Sequence, residues 1–258
     1  MLSADKPIRY DRYSLSSGWE TEDAHVITEA AVDLTVNGLH WLSFSCTPTN
    51  LDALAVGFLF NEGVIQKREE VVNIDVCRQG CSVDVWLSHA VERPTQWRRT
   101  SGCTGGMTTV ENGDLPRPIP LGEPIRPEEL LSCMEQLLQA QELYREAGGV
   151  HTSAVSDGQT IRMRAEDIGR HNTIDKLAGR MLLEGIHPQR AIVITTGRIS
   201  SEMLQKSARL GAVAVVSRTS PTSQSVELAE RMGITLVGYA RRNGFIVYAH
   251  AERVLQDG

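Results

Sequence analysis

Between Ala191 and Tyr239 three apolar runs of strand length, Ala191 to Thr195, Ala212 to Val216 and Thr235 to Tyr239, are separated by two stretches with helical spacing. Met203, Leu204 and Ala208 mark the first helix, and Val226, Ala229 and Met232 the second. Repeated strand, helix, strand units of this length return through right-handed crossovers and require a parallel sheet. A strand pair, Val150 to Val155 and Thr160 to Arg164, is expected before them, followed by a helix from Asn172 that aligns Ile174, Leu177, Ala178, Met181 and Leu182. A last strand, Phe245 to Tyr248, is expected to pair through the Arg242-Asn243-Gly244 turn.

The first half follows a different rule. Residues 31–36 and 39–44 alternate apolar and polar types around Asn37-Gly38, a hairpin signal with a mechanism, because both turn residues tolerate positive φ. Leu51, Leu54, Ala55, Phe58 and Leu59 have the spacing of an amphipathic helix that Gly63 ends. Strands are expected at Val71 to Val76 and Val83 to Leu87, with Gln79-Gly80 in the turn between them. From Thr100 to Pro127 periodicity disappears and prolines accumulate. One helix is then expected from Pro127 through Leu130, Leu131, Met134, Leu137, Leu138, Gln141 and Tyr144 to Gly148-Gly149. The chain therefore reads as α/β, with a smaller β-rich α+β domain over 1–115, a linker over 116–126 and an α/β domain over 127–258.

Composition bounds the function classes. A chain of 258 residues with 41% hydrophobic and 22% charged residues buries a core without metals or disulfides. A formal charge of −6 argues against broad nucleic-acid binding and leaves room for one local basic pocket. No apolar run reaches the ~18 residues of a membrane helix. The five cysteines, Cys46, Cys77, Cys81, Cys103 and Cys133, form an odd set without framework spacing, and the N-terminus has no signal segment. A reduced, cytoplasmic protein is the expectation.

Open parallel sheets bind ligands beyond the carboxyl ends of their strands, where helix N-termini present unpaired N–H groups. Three successive strand ends carry Thr196-Gly197-Arg198-Ile199-Ser200-Ser201, Ser217-Arg218-Thr219-Ser220-Pro221-Thr222 and Tyr239-Ala240-Arg241-Arg242-Asn243-Gly244. Each supplies an arginine, and the first two add hydroxyls, a set that suits a pyrophosphate or a nucleotide. Ser200, Ser220 and Thr222 also fit plain helix N-caps, a sufficient reading for any one loop. Three loops in register favour an anion site.

The segment Glu166-Asp167-Ile168-Gly169-Arg170-His171-Asn172 crowds acids and bases at the entry to a helix, and His151 offers a second imidazole. His171 is a candidate proton donor or ligand-binding group, while Asp167 and Asn172 also fit helix caps. Cys103 lies in Arg99-Thr100-Ser101-Gly102-Cys103-Thr104-Gly105-Gly106, too rich in glycine and hydroxyls for a helix or central strand. A thiol on such an exposed loop is open to chemistry, although context alone leaves an incidental surface thiol equally admissible. Cys77-Arg78-Gln79-Gly80-Cys81 offers only one short pair, so the segment reads as a hairpin with two incidental thiols and no zinc is expected. The His-x-Glu with Pro-Cys-x-x-Cys signature of zinc deaminases is absent.

Taken together, Gly148-Gly149-Val150-His151-Thr152, the 166–172 segment with Asp175-Lys176-Leu177, Thr196-Gly197-Arg198-Ile199-Ser200 and Ser220-Pro221-Thr222 resemble the formate dehydrogenase accessory family, FdhD. The similarity runs over almost the whole chain, and the 166–172 segment is its most specific part. The resemblance implies a C-terminal three-layer, cytidine-deaminase-like domain with a mostly parallel sheet and no zinc. It implies a sulfurtransferase or sulfur carrier, homodimeric and cytoplasmic. Such a protein receives sulfur from a cysteine desulfurase and passes it to the molybdenum bis(molybdopterin guanine dinucleotide) cofactor, its bound substrate, for the client formate dehydrogenase. Cys103 matches the persulfide cysteine of the family's Cys-x-x-Cys loop, and Tyr239, Ala240, Arg241, Arg242, Asn243 and Gly244 match its cofactor segment. Thr196, Gly197, Arg198, Ser200, Arg218, Ser220 and His171 complete the expected cofactor-binding set. Gly106 stands where the second family cysteine falls, so this loop cannot close a local disulfide. A persulfide can still present its outer sulfur directly. The rival readings are a cofactor-binding chaperone that has lost sulfur transfer and, last, a cysteine hydrolase using Cys103 with His151 or His171.

Overall fold

The chain opens with a hairpin that is not among the expected elements: β1 (Asp5–Ser14) pairs antiparallel with β2 (Gly18–Ile27). Most of its side chains are exposed, Trp19 and Leu15 among them, so no buried face imposes an apolar rhythm on the sequence. The computed structural model describes residues 2–77, 79–94 and 123–256, and the backbone of 98–99 and 107–108.

The Asn37-Gly38 hairpin forms as expected. Asn37 and Gly38 take φ of 50° and 80° between β3 (Ala30–Val36) and β4 (Leu39–Cys46). The helix α1 (Leu51–Asn61) follows, then β5 (Val71–Val76) and β6 (Ser82–Leu87). These four strands make one sheet in the order β4-β3-β6-β5. Its apolar face, including Val32, Leu34, Val85 and Trp41, closes on Leu54, Phe58 and Leu59 of α1.

Two short strands, β7 (Arg98–Arg99) and β8 (Met107–Thr108), pair antiparallel. Cys103 and Gly106, which fall between them in sequence, lie outside the described residues, as do positions 116–122 of the expected linker. Further along, Ile125 is buried and its N–H donates to the Arg253 carbonyl at 2.7 Å.

The expected helix from Pro127 to Gly148 is two helices, α2 (Pro127–Gln139) and α3 (Leu143–Ala147). A partner distant in sequence breaks it. One Glu166 carboxylate oxygen accepts the N–H groups of Glu142 and Leu143 at 2.9 and 3.0 Å, starting a new helix there. Gln141 turns inward to donate to the Thr152 hydroxyl.

The remaining elements are β9 (His151–Ser156), β10 (Ile161–Asp167), α4 (Arg170–Glu184), β11 (Ala191–Thr195), α5 (Ser201–Arg209), β12 (Ala212–Ser217), α6 (Ser223–Met232), β13 (Thr235–Arg241) and β14 (Gly244–Ala249). Six strands form the second sheet in the order β10-β9-β11-β12-β13-β14. The parallel crossovers are where the sequence puts them, between β11, β12 and β13. The flanking hairpins add antiparallel edges, and four of the six strands, β10, β11, β12 and β13, run in one direction. One face carries α2, with Leu130, Met134 and Leu137 on Ile192, Ile194 and Val216. The other carries α4, α5 and α6, with Ile174, Leu177, Leu204 and Leu228 on Val193 and Val215. The result is a three-layer α/β unit.

The outer side of α4 meets α1. A β-carbon on Gly57 would stand 1.7 Å from the Asp175 carbonyl oxygen, and one on Gly179 would stand 1.9 Å from that of Ala53. Glycine at both positions lets the two helix backbones touch. This crossing joins the two sheets.

Candidate functional site

The carboxyl ends of β10, β11, β12 and β13 and the start of β9 fall on one edge, because β9 runs antiparallel to β10 and β11. The helices α4, α5 and α6 begin there, immediately after β10, β11 and β12. The loops are tied to each other by backbone bonds. The Thr196 N–H donates to the Thr152 carbonyl at 2.9 Å, and that of Ile199 to Ser220 at 3.3 Å. The Thr222 N–H donates to Ile199 at 3.0 Å and that of Tyr239 to Thr219 at 2.9 Å. All three predicted strand-end segments are therefore brought together.

Within this frame the expected residues separate by role. Arg198, Arg218, Arg241, Arg242 and Asn243 are exposed at the edge, and no bond ties Arg198, Arg218 or Arg241 to another described side chain. Ser200 is the N-cap of α5, accepting the Met203 N–H, and Thr222 is the N-cap of α6. Ser220 is not a cap. Gly197 is packed tightly: a β-carbon there would meet Arg170 Cβ at 3.0 Å and His151 Nδ1 at 3.5 Å. Its carbonyl accepts the Ser217 hydroxyl at 2.7 Å.

The segment 239–244 is less a loop than the sequence suggests. Tyr239, Ala240 and Arg241 are the end of β13 and Gly244 opens β14, leaving Arg242-Asn243 as the turn. Register shifts between Gly238 and Arg241, and Tyr239 takes φ of 51°. An L-residue rarely adopts that conformation outside a bulge or turn. The bulge leaves Tyr239 exposed and Ala240 buried.

His171 lies in the first turn of α4 and is buried. Its Nε2 is 3.4 Å from Ser200 Oγ and 3.7 Å from Glu202 Oε2, and Ser200 Oγ donates to Glu202 at 2.7 Å. Burial pulls the His171 pKa below the ordinary imidazole value, outweighing the opposing pull of the Glu202 carboxylate 3.7 Å away. The nearby His171 ring, with help from the Ser200 hydroxyl, holds Glu202 down to about 2 against partial burial. A neutral imidazole beside an ionised carboxylate is the consistent state. His151 is lowered as well, first by burial and then by the Arg170 charge. Glu202 was not among the expected residues; its only sequence signal is an acid in a helix first turn, which is common.

The acids and bases that made 166–176 conspicuous are mostly architectural. Glu166 caps α3, and Asp167 ends β10 rather than entering the helix. Asp167 accepts the N–H groups of Thr47 and Gly169 and the Asn172 amide, while Asn172 also donates to the Ser45 carbonyl. Lys176 Nζ donates to the Thr47 carbonyl and the Thr49 hydroxyl. Asp175 accepts both Lys206, at 2.7 Å, and Asn61. These bonds join β4 and α1 to α4. The motif therefore staples the two sheets together, and only Arg170 and His171 turn toward the site.

Among the described residues three oxygen- and nitrogen-bearing side chains, Asp5, His25 and Glu146, gather on the surface with metal-ligand spacing, where α3 meets the first hairpin. No described helix is long and apolar enough to cross a membrane. Cys46 and Cys133 are buried, and burial pushes Cys46 up to about 12.

The comparisons with known proteins agree over nearly the full length. Sulfur carrier protein FdhD from Staphylococcus aureus strain MRSA252 is 34% identical over 252 residues, covering 95% of each chain, and that of strain Newman matches to the same extent. A crystal structure described as a formate dehydrogenase accessory protein from Desulfotalea psychrophila superimposes with a TM-score of 0.81 at 30% identity, covering 98% of this chain and all of that one. The FdhD/NarQ family model matches residues 27–255, a span that takes in both sheets, the α1–α4 crossing and every loop of the candidate site. On sequence and fold alike, the chain belongs to the FdhD/NarQ family.

Proposed function

We propose that this chain is a sulfur carrier serving formate dehydrogenase maturation. The observation that carries the reading is the end-to-end likeness to relatives named as sulfur carriers, with 95% of both chains aligned. It favours transfer over a chaperone that has lost it.

In this reading Cys103 holds a persulfide received from a cysteine desulfurase in the cytoplasm, and the protein works as a homodimer. The sulfur passes to the molybdenum bis(molybdopterin guanine dinucleotide) cofactor, which is cargo rather than a resident group. Its pyrophosphates suit Arg198, Arg218 and Arg241, guanidinium groups exposed beside the helix starts of α5 and α6. Thr196, Gly197, Ser200, Ser220 and the Tyr239–Gly244 hairpin shape the same edge. His171, being buried, contributes by holding Ser200 and Glu202 rather than by touching the cargo.

Mass spectrometry after incubation with a cysteine desulfurase and cysteine tests the carrier step. One added sulfur on the Cys103 peptide is the expected result. Full formate dehydrogenase maturation by Cys103→Ala would sink it.

A further inference from the structure

The turn joining β5 to β6 holds two thiols in contact. The Cys77 N–H donates to the Ser82 carbonyl at 3.0 Å and the Gly80 N–H to the Cys77 carbonyl at 2.8 Å, with Gly80 at φ 70°. This closure sets Cys77 Sγ 2.8 Å from Cys81 Sγ, about 0.8 Å beyond a disulfide bond. The Cys81 N–H also points at Cys77 Sγ, at 3.0 Å. Cys81 is exposed and Cys77 partly so, whereas Cys46 and Cys133 are buried. No third ligand among the described residues completes a metal site with the pair. A cavity of about 590 Å³ opens beside the turn, with Gly80, Val76, Ile74, Leu51 and Arg68 in its wall.

We infer that Cys77 and Cys81 are a second sulfur-handling site, in which Cys77 accepts the outer sulfur of a small-molecule or protein persulfide and Cys81 releases it as hydrosulfide. The asymmetry of the pair assigns the order. The Cys81 S–H first, and then the Cys81 N–H with the Ser82 backbone, favour the thiolate on Cys77, whose pKa falls to about 6, while Cys81 is raised by its neighbour. In the first step the Cys77 thiolate attacks the outer sulfur of R–S–SH. A Cys77–S bond forms, the donor S–S bond breaks, and its electron pair leaves on R–S⁻, which takes up a proton.

In the second step Cys81, having lost its proton to water, attacks Cys77 Sγ. The Cys77–S bond breaks and HS⁻ departs. The two cysteine sulfurs are oxidised by one electron each to a disulfide, and the transferred sulfur is reduced by two electrons to sulfide. An external dithiol returns the disulfide to the starting state. The site rests on the sulfur-carrier reading only for the class of its substrate, and it uses none of the atoms of Cys103.

The test therefore runs on the Cys103→Ser chain under anaerobic conditions, with glutathione persulfide as the probe. This chain should release one equivalent of sulfide and its 77–81 peptide should lose two hydrogens. Adding Cys81→Ser should stop release and leave one added sulfur on Cys77; adding Cys77→Ser instead should abolish both signals. A disulfide formed without sulfide would mark an ordinary redox pair and overturn the inference, as would sulfide release that survives Cys77→Ser. The carrier reading is checked separately, by desulfurase loading of Cys103 in a chain carrying Cys77→Ser and Cys81→Ser.

Discussion

The Asp167 carboxylate and the Lys176 ammonium lie 2.6 Å apart, with side chains 0% and 1% exposed. Removing one partner strands a buried charge. Asp167→Asn should cost about 3–5 kcal/mol of unfolding free energy, read as a shift of the urea midpoint without a change in slope. The double variant Asp167→Leu with Lys176→Met should recover much of that loss. A loss in the double variant equal to the sum of the two single losses would mean that the pair is not coupled.

Gly57→Ala presses a methyl group into the Asp175 carbonyl, where only backbone can yield. Overpacking of side chains costs about 1–3 kcal/mol, and this contact, backbone against backbone, belongs at or above the upper end. Gly179→Ala should behave alike. Chemical denaturation of the two variants decides; a midpoint like that of the wild type would show that α1 and α4 separate easily.

Stability should fall as the solution is acidified through two windows. His171 and Glu202 both have folded pKa values below their ordinary ones, 6.5 and 4.5, so the unfolded chain binds more protons. The His171 contribution is complete above about pH 6.5 and drains away below it. That of Glu202 is complete above its unfolded value and is lost as pH falls toward about 2. Glu202→Gln should flatten the lower window of a stability–pH curve. An unchanged curve would remove the carboxylate from the account.

Exposed arginines contribute modestly one at a time. Arg198→Ala, Arg218→Ala and Arg241→Ala should each weaken guanine nucleotide binding about three- to fivefold and make it less salt-dependent. Isothermal titration at two ionic strengths reads both effects. Affinity indifferent to all three would move the anion site elsewhere.

Iodoacetamide labelling of Cys77 in the Cys103→Ser chain should titrate with a midpoint of about 6, and Cys81→Ala should move that midpoint up toward 9 by removing the S–H donor. The residual lowering then belongs to the backbone N–H groups.

Local signals in the sequence were faithful where local forces decide. Asn37-Gly38 specified its hairpin, and the β11 to β13 alternation specified its crossovers, because turn geometry and burial on both faces leave few alternatives. The hairpin of β1 and β2 was illegible since neither face is buried enough to impose a pattern. The break between α2 and α3 depends on Glu166, more than twenty residues away, and no window centred on Gln141 contains it. In the site, three arginine loops could be read from strand order, whereas the division of 166–176 into staple and site could not. An aspartate that holds a ligand and one that holds a buried lysine look the same in sequence; only the partner distinguishes them.

The contact between α1 and α4 has a consequence for the integrity of the particle. The sheets are fastened by glycine-lined helices and by buried side-chain bonds that run between 45–62 and 166–206. A protease that cleaved within 89–94, beyond the last strand of the first sheet, would therefore leave two fragments eluting as one species. They would part only in denaturant, so a nick that separates the thiol-bearing segment from one sheet would not by itself release either sheet from the other.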